Sequence, residues 1–253
     1  MRGPVLLGVT ALVLAIDGRG AAAQTIQGSE KVRVSINVGG QLSSTTFTTA
    51  ATSTVFLEPS TINTSYTVPK GKLFDGGILF RVAGNFGVGV ALSWFSERHD
   101  APVTGLIPNP FGFNSPPSLS RPLSGTAAGL QRSELDAHIQ AAYMIATKRY
   151  DVVISGGPTI FRVSQDLVSN AVYIDDYPHD TVTFTSATTV RGEATKTGFN
   201  VGVDVGYKVG PKFGVGGLVR FSRASVSFPL TGSADVSVDA GGFQVGGGVR
   251  FFF

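Results

Sequence analysis

Through most of the chain, hydrophobic residues fall at every second position, separated by glycine, alanine, serine or a charge. A period of two belongs to a β-strand, whose successive side chains face opposite sides of a sheet. The segment 86–94 shows it best, with Phe86, Val88, Val90, Leu92 and Trp94 on one face and Gly87, Gly89, Ala91 and Ser93 on the other. At 197–209, Phe199, Val201, Val203, Val205 and Tyr207 alternate with Gly198, Asn200, Gly202, Asp204, Gly206 and Lys208. At 213–223 the pattern repeats, interrupted on the polar face by Leu218, and at 133–145 Leu135, Ala137, Ile139, Ala141 and Tyr143 oppose Glu134, Asp136, His138 and Gln140. Weaker segments lie at 31–42, 73–82 and 152–164, the last carrying Pro158, which has no N–H for a ladder. A final segment at 242–253 brings the number of predicted strands to eight.

The connections alternate in length. Short polar turns are expected at Gly84-Asn85, 147–151 and Gly210-Pro211-Lys212, and long Thr/Ser/Pro-rich links at 43–72, 96–132, 165–196 and 224–241. Long structureless links are uncommon in compact soluble domains, whereas transmembrane barrels combine short periplasmic turns with long outer loops. The expectation is therefore all-β: an eight-stranded antiparallel up-and-down transmembrane β-barrel with short periplasmic turns and long outer loops.

The first residues support that compartment. Arg2, the apolar stretch Val5–Ile16 and the run Ala21-Ala22-Ala23 have the layout of a secretory signal, too short to cross a bilayer as a helix. We expect a cleavable signal at 1–23 and one barrel domain at 24–253. Losing Arg2, Asp17 and Arg19 from the chain's 20 basic and 17 acidic residues leaves 18 and 16, a net +2 with no call for a nucleic-acid partner. The chain has no cysteine, so stability in an oxidising compartment must come from packing or from a hydrogen-bond network closed on itself.

Residue size indicates which face meets lipid. The polar face is crowded with small residues, which suits the tight interior of an eight-stranded barrel, and the apolar face is bulky and β-branched. Phe74, Trp94, Phe199, Phe221 and Phe243 should gather at the outer rim, and Phe86, Tyr143, Tyr207, Phe213 and Phe251 at the inner one, as two aromatic girdles. The last strand places Phe243, Val245, Val249, Phe251 and Phe253 on one face and ends on phenylalanine. It resembles the assembly signal of bacterial outer-membrane barrels. The segment from Phe74-Asp75-Gly76-Gly77 to Trp94 resembles the second hairpin of small porin-like barrel-domain proteins, a group that includes OmpA-like and OmpX-like barrels. The resemblance implies an integral outer-membrane location in contact with outer-membrane lipid and recognition by the barrel-assembly machinery, but no particular activity.

On these registers the lumen receives Arg33, Arg81, Lys208, Arg220 and Arg250 against Asp75, Glu134, Asp136 and Asp204, with His138 nearby. Such charges form either a salt-bridge plug or a polar path for small ions, because a buried charge without its partner costs several kcal/mol, about 3 to 5. No catalytic set is visible: His138 faces inward, and His99 and His179 fall in links. The stretch Asp175-Asp176-Tyr177-Pro178-His179-Asp180 is rich in oxygen ligands but lacks the spacing of a calcium loop, and reads as a solvated loop. Glycines at 214–217 lie within a strand and lack the Lys-Ser/Thr pair of a nucleotide loop. No cofactor, metal or enzymatic activity is expected. Pro108, Pro110, Phe111, Phe113 and Pro116-Pro117 make the second link a candidate to fold over the barrel mouth or to meet a surface ligand or another envelope protein. The leading expectation is a structural or surface-interaction role in the cell envelope. A narrow pore comes second, and a lipid-modifying barrel enzyme third.

Overall fold

A computed structural model describes residues 30–112, 120–229 and 235–253. The expected signal at 1–23, and Phe113 and Pro116-Pro117 of the second link, lie outside the described residues. Ten antiparallel strands follow in order: β1 (Val32–Gln41), β2 (Thr45–Val55), β3 (Glu58–Val68), β4 (Gly71–Ala83), β5 (Phe86–Ile107), β6 (Arg121–Ala146), β7 (Tyr150–Ile174), β8 (Thr183–Lys208), β9 (Phe213–Phe228) and β10 (Val236–Phe252).

Eight of these strands form a closed ring, in which β1 pairs with β4, each of β4 to β9 pairs with the next, and β10 returns to β1. Closure leaves this ring without an edge. At the seam Arg33 lies opposite Phe252 and Gln41 opposite Gln244, and the Phe253 carbonyl accepts from the N–H groups of Lys31 and Val32 at 2.6 and 2.9 Å. Glycine is required there by close approach: a Cβ on Gly39 would sit 1.9 Å from the Val245 carbonyl oxygen, and one on Gly248 1.8 Å from that of Ile36.

Both termini of the ring and the three short turns share one end. The two-residue turn Gly84-Asn85 uses φ +53° at Gly84, a left-handed conformation that glycine adopts without steric cost. Between β6 and β7, the Thr147 hydroxyl accepts from the Tyr150 N–H at 2.9 Å and helps to fix the turn. Pro158 does lie within β7, and the β6–β7 ladder lapses beside it, with no paired residues between His138↔Thr159 and Ala141↔Gly156.

The four long links are corrected by the structure. They are mostly strand: β6, β7 and β8 run for 26, 25 and 26 residues, where about 9–11 suffice to cross a bilayer. The first link folds as the β2–β3 hairpin, and β3 pairs with β5 from Thr61↔Leu106 to Thr64↔Val103, above the point where β4 leaves it at Leu73↔Phe95. Threonine and valine at alternate positions favour extended backbone, and this period-two signal outweighs the loop-like Thr/Ser/Pro composition.

The extension has its own core, built from Tyr66, Val103, Ile107, Leu123, Phe161, Val163, Leu167, Val226, Phe228 and Val238 among others. The apolar side of the wall thus changes with height. On β5, Phe86 to Trp94 point outward in the ring, while beyond them Phe95, Ala101, Val103 and Ile107 point inward and Arg98, Asp100 and Thr104 face out.

Candidate functional site

Alternation directs the polar residues of the ring into the lumen, where four layers of contacts form. Nearest the short turns, Lys208 pairs with Glu30 at 2.5 Å and lies 4.8 Å over the ring of the inward-facing Phe252. Next, Asp204 accepts a two-pronged bond from Arg250 at 3.0 and 2.8 Å and one from Arg33 at 2.5 Å, while Arg33 also meets Asp151 at 2.6 Å. At mid-height, Asp75 accepts from Arg220 at 2.5 Å, from Ser93 at 2.8 Å and from Asn37 at 3.0 Å. Toward the outer rim, Arg132 pairs with Glu134 at 2.8 Å, and the second Glu134 oxygen accepts from the Gly241 N–H.

The structure therefore brings together Arg33, Asp204 and Arg250, and separately Asp75 and Arg220. It gives Lys208 and Glu134 the partners Glu30 and Arg132, and adds Asp151 to the Arg33 layer. Asp136 and Arg81 point into the wall without an ion pair among the described residues. Parity would have found two of the missed groups, since Arg132 continues the Glu134 face by one step and Asp151 precedes Val153 on the inward face of β7.

Apolar side chains fill what the charges leave, with Leu79, Met144 and Val153 clustered in the lower lumen. A cavity of about 30 Å³ between Arg33, Asp204, Arg220 and Gln140 is room for one or two water molecules.

The outer face of the same ring exposes Ile36, Phe74, Ile78, Val90, Ile139, Ile154, Val203, Val219 and Val245, a continuous apolar belt that water would not tolerate. Ring pairs border it at both levels. Phe74–Trp94, Phe199–Phe221 and Phe221–Phe243 lie at 5.8, 6.0 and 5.0 Å on the outer rim, and Phe86–Tyr143, Tyr150–Tyr207 and Phe213–Phe251 at 5.3, 5.5 and 5.7 Å on the inner one. A polar, filled lumen inside an apolar belt between two aromatic girdles is the outer-membrane design. The chain is an outer-membrane β-barrel.

No protein-family model matches the chain, and no curated protein sequence matches it. In fold it is similar to Neisserial surface protein A, at 13% identity and a TM-score of 0.44 over 88% of this chain and 97% of that one. It is similar also to the outer-membrane protein OprG of Pseudomonas aeruginosa, at 10% identity and a TM-score of 0.47 over 90% of this chain and 99% of that one. The outer-membrane protease OmpT of Escherichia coli gives 10% identity and a TM-score of 0.48 over 88% and 97%.

Within this barrel the histidines take three different places. His138 does meet a serine, with Nε2 at 2.9 Å from Ser93 Oγ and Nδ1 at 2.8 Å from Thr159 Oγ1. Sequence reasoning placed no such pair. The hydroxyl of Ser93 donates to Asp75, and Ser93 Oγ accepts from Arg220 at 2.8 Å. The His138 Nε2–H therefore donates to the serine, whereas a general base would have to accept its proton. The cluster is also sealed inside the wall. His99 is buried in the extension beside the Tyr66 ring, and burial, reinforced by the Arg132 guanidinium, holds its imidazole below the usual range.

His179 belongs to the far end, where β5–β6 and β7–β8 turn back. Its Nδ1 lies 2.9 Å from an Asp175 oxygen, which the Arg121 guanidinium also binds while donating to the Pro108 carbonyl at 2.8 Å. The hydrogen bond from Arg121 holds the Asp175 carboxyl below the usual range. Asp175 of the acidic stretch 175–180 is thus engaged by Arg121 and His179, and no metal-ligating group of three assembles among the described residues. Of the positions expected to form an assembly signal, Phe243 and Val245 point outward from β10, and Phe253 lies at the short-turn end beside β1.

Proposed function

We propose that this barrel is closed to solutes and serves to carry a rigid β-built surface away from the outer membrane for contact with a partner. The carrying observation is the reach of the wall, since the β7–β8 ladder runs from Tyr150↔Tyr207 at the inner rim to Ile174↔Thr183 at the far end, with two register shifts, at Val168/Asn170 and Val172/Tyr173. A ladder of that length transmits position rigidly, which a set of floppy loops would not do. The filled lumen supports the same reading, because paired charges and the apolar cluster of Leu79, Met144 and Val153 occupy it. The terminal strand would serve recognition by the assembly machinery, the belt would hold outer-membrane lipid, and neither nucleic acid nor a catalysed reaction enters this role.

Conductance of the refolded mature chain in planar bilayers tests the reading. Silent membranes are expected. Stable unit conductances at neutral pH would overturn it in favour of a narrow pore.

A further inference from the structure

The far end of the extension carries bulky apolar side chains where water-facing turns usually carry polar ones. The β2–β3 hairpin turns through Phe56-Leu57 alone, with Val55 paired to Glu58 and φ of +50° and +70° at the two turn residues. Two positive φ values make this a type I′ turn, which favours Asn-Gly, and bulky side chains there are strained. Leu57 remains 85% and Phe56 49% exposed, so among the described residues packing offsets little of the strain. Strain retained with so little internal return marks a site held for something outside.

The same end gathers two more such side chains. Phe111 is 75% and Tyr177 84% exposed, and both rings flank the His179 imidazole, at 5.4 and 6.2 Å. The Arg121 guanidinium binds Asp175 and the Pro108 carbonyl, and so locks the two links together. Register brings the hairpin to the same height. Thr61 lies opposite Leu106, so the hairpin tip, three to five residues beyond Thr61, stands at the end where β5 gives way to the second link at Ile107.

Charge decides between partners. This end carries the carboxylates Asp175, Asp176 and Asp180, and of these Asp175 is bound by Arg121 and His179, which leaves Asp176 and Asp180 as the negative charges beside the Phe111 and Tyr177 rings. The sequence adds no charge at 113–119 or 230–234. An anionic rim repels an anionic membrane and complements a basic partner.

We propose that Phe56, Leu57, Phe111 and Tyr177 form the contact surface of the barrel and that it receives a cationic amphipathic segment of a partner protein. The inference rests on the surface-presentation reading and names the chemistry of the partner.

The test uses the mature chain in zwitterionic nanodiscs, with empty nanodiscs as the blank. The probe is a labelled 18-residue amphipathic helix of leucine and lysine, compared with its leucine–glutamate counterpart and with phosphatidylglycerol vesicles. The leucine–lysine helix is expected to bind, and Phe56→Asn/Leu57→Gly to weaken binding about tenfold, as for a contact at the centre of an interface. Because that pair suits the turn, the urea midpoint should hold or rise. Phe111→Ser/Tyr177→Ser should weaken binding with the midpoint unchanged. Equal binding by the variants, equal binding of the leucine–glutamate helix, or capture of the vesicles instead would overturn the proposal. So would a lowered midpoint in Phe56→Asn/Leu57→Gly, which would mean that the turn residues serve the fold. A conducting barrel would sink the surface-presentation reading alone, and a silent barrel that ignores the helix would sink only this inference.

Discussion

The two halves of β9 use one strand to build opposite walls. From Phe213 to Phe221 the outward side chains are Phe213, Val215, Val219 and Phe221, and the inward ones are Gly214, Gly216, Leu218 and Arg220. One step later Arg223, Ser225 and Ser227 face out while Ala224, Val226 and Phe228 face in. No bulge separates the halves, since the register with β10 continues unbroken from Phe251↔Phe213 to Val236↔Phe228. The backbone parity is constant and the chemistry changes sides. Lipid surrounds the lower half and satisfies apolar residues on the outside, so the interior is left to paired charges. Water surrounds the upper half, and burying each large apolar side chain inside there contributes about 1.5–3 kcal/mol.

The comparison can be broken most forcefully in the lumen. Asp204→Ala leaves the Arg33 and Arg250 guanidinium groups short of a partner inside the ring and should lower stability by about 3–5 kcal/mol in urea unfolding from micelles. The exposed pair Arg162–Glu193, at 3.3 Å on the outer wall of the extension, is the control, and Arg162→Ala should change stability by no more than about 0.5 kcal/mol.

Removing apolar bulk should hurt the other half. Phe228→Ala empties a fully buried site of the extension, at a cost of about 3–5 kcal/mol. Its loss should appear as faster hydrogen exchange in the upper parts of β7 to β10, with the folded band of the ring intact on unheated gels. Loss of that folded band would show that the two halves do not open separately.

Charges on the outer face separate the halves by a smaller margin. Val219→Lys places an ammonium against lipid and should cost about 2–4 kcal/mol. Ser225→Lys, three side chains further along the same outward row, should stay within about 0.5 kcal/mol. Equal costs would mean that both positions share one surrounding.

The smallest expected effect is a pH slope confined to the extension. Burial keeps His99 neutral in the folded wall, with neither ring nitrogen hydrogen-bonded among the described residues. Its folded pKa lies below the unfolded value of about 6.5. Unfolded chains then bind a proton that the folded wall refuses, so the stability is whole above about pH 6.5 and declines as pH falls toward the folded value. His99→Gln should flatten the slope in exchange rates near β5 and β6, and a slope that persists would assign it to another group.

How much of this was legible beforehand follows from the same physics. The ring was readable because lipid on one side and a narrow lumen on the other make every second residue bulky or small, as at Phe86–Trp94. Both girdles and most of the lumen charges came from that parity alone. The extension was hidden because its water-facing residues are threonine, serine and proline, which composition assigns to loops even where Val103, Leu123 and Val226 keep the period. The partners of the lumen charges were harder still. Glu30 precedes β1 at the chain entry, where no alternation declares a face, whereas the parity of β7 would have reached Asp151. The Phe56-Leu57 turn escaped because its residues carry no turn signature; only φ angles reveal it.

The change of sides along β9 is the central claim, and the chain's lack of cysteine makes it directly measurable. Single cysteines at Val215, Gly217, Val219, Phe221, Arg223, Ser225 and Ser227 would be exposed in bilayers to a membrane-impermeant maleimide. The account predicts protection from Val215 through Phe221 and rapid labelling from Arg223 onward, with the step falling between those two neighbours on one face. Uniform labelling, or uniform protection, along the row would contradict it.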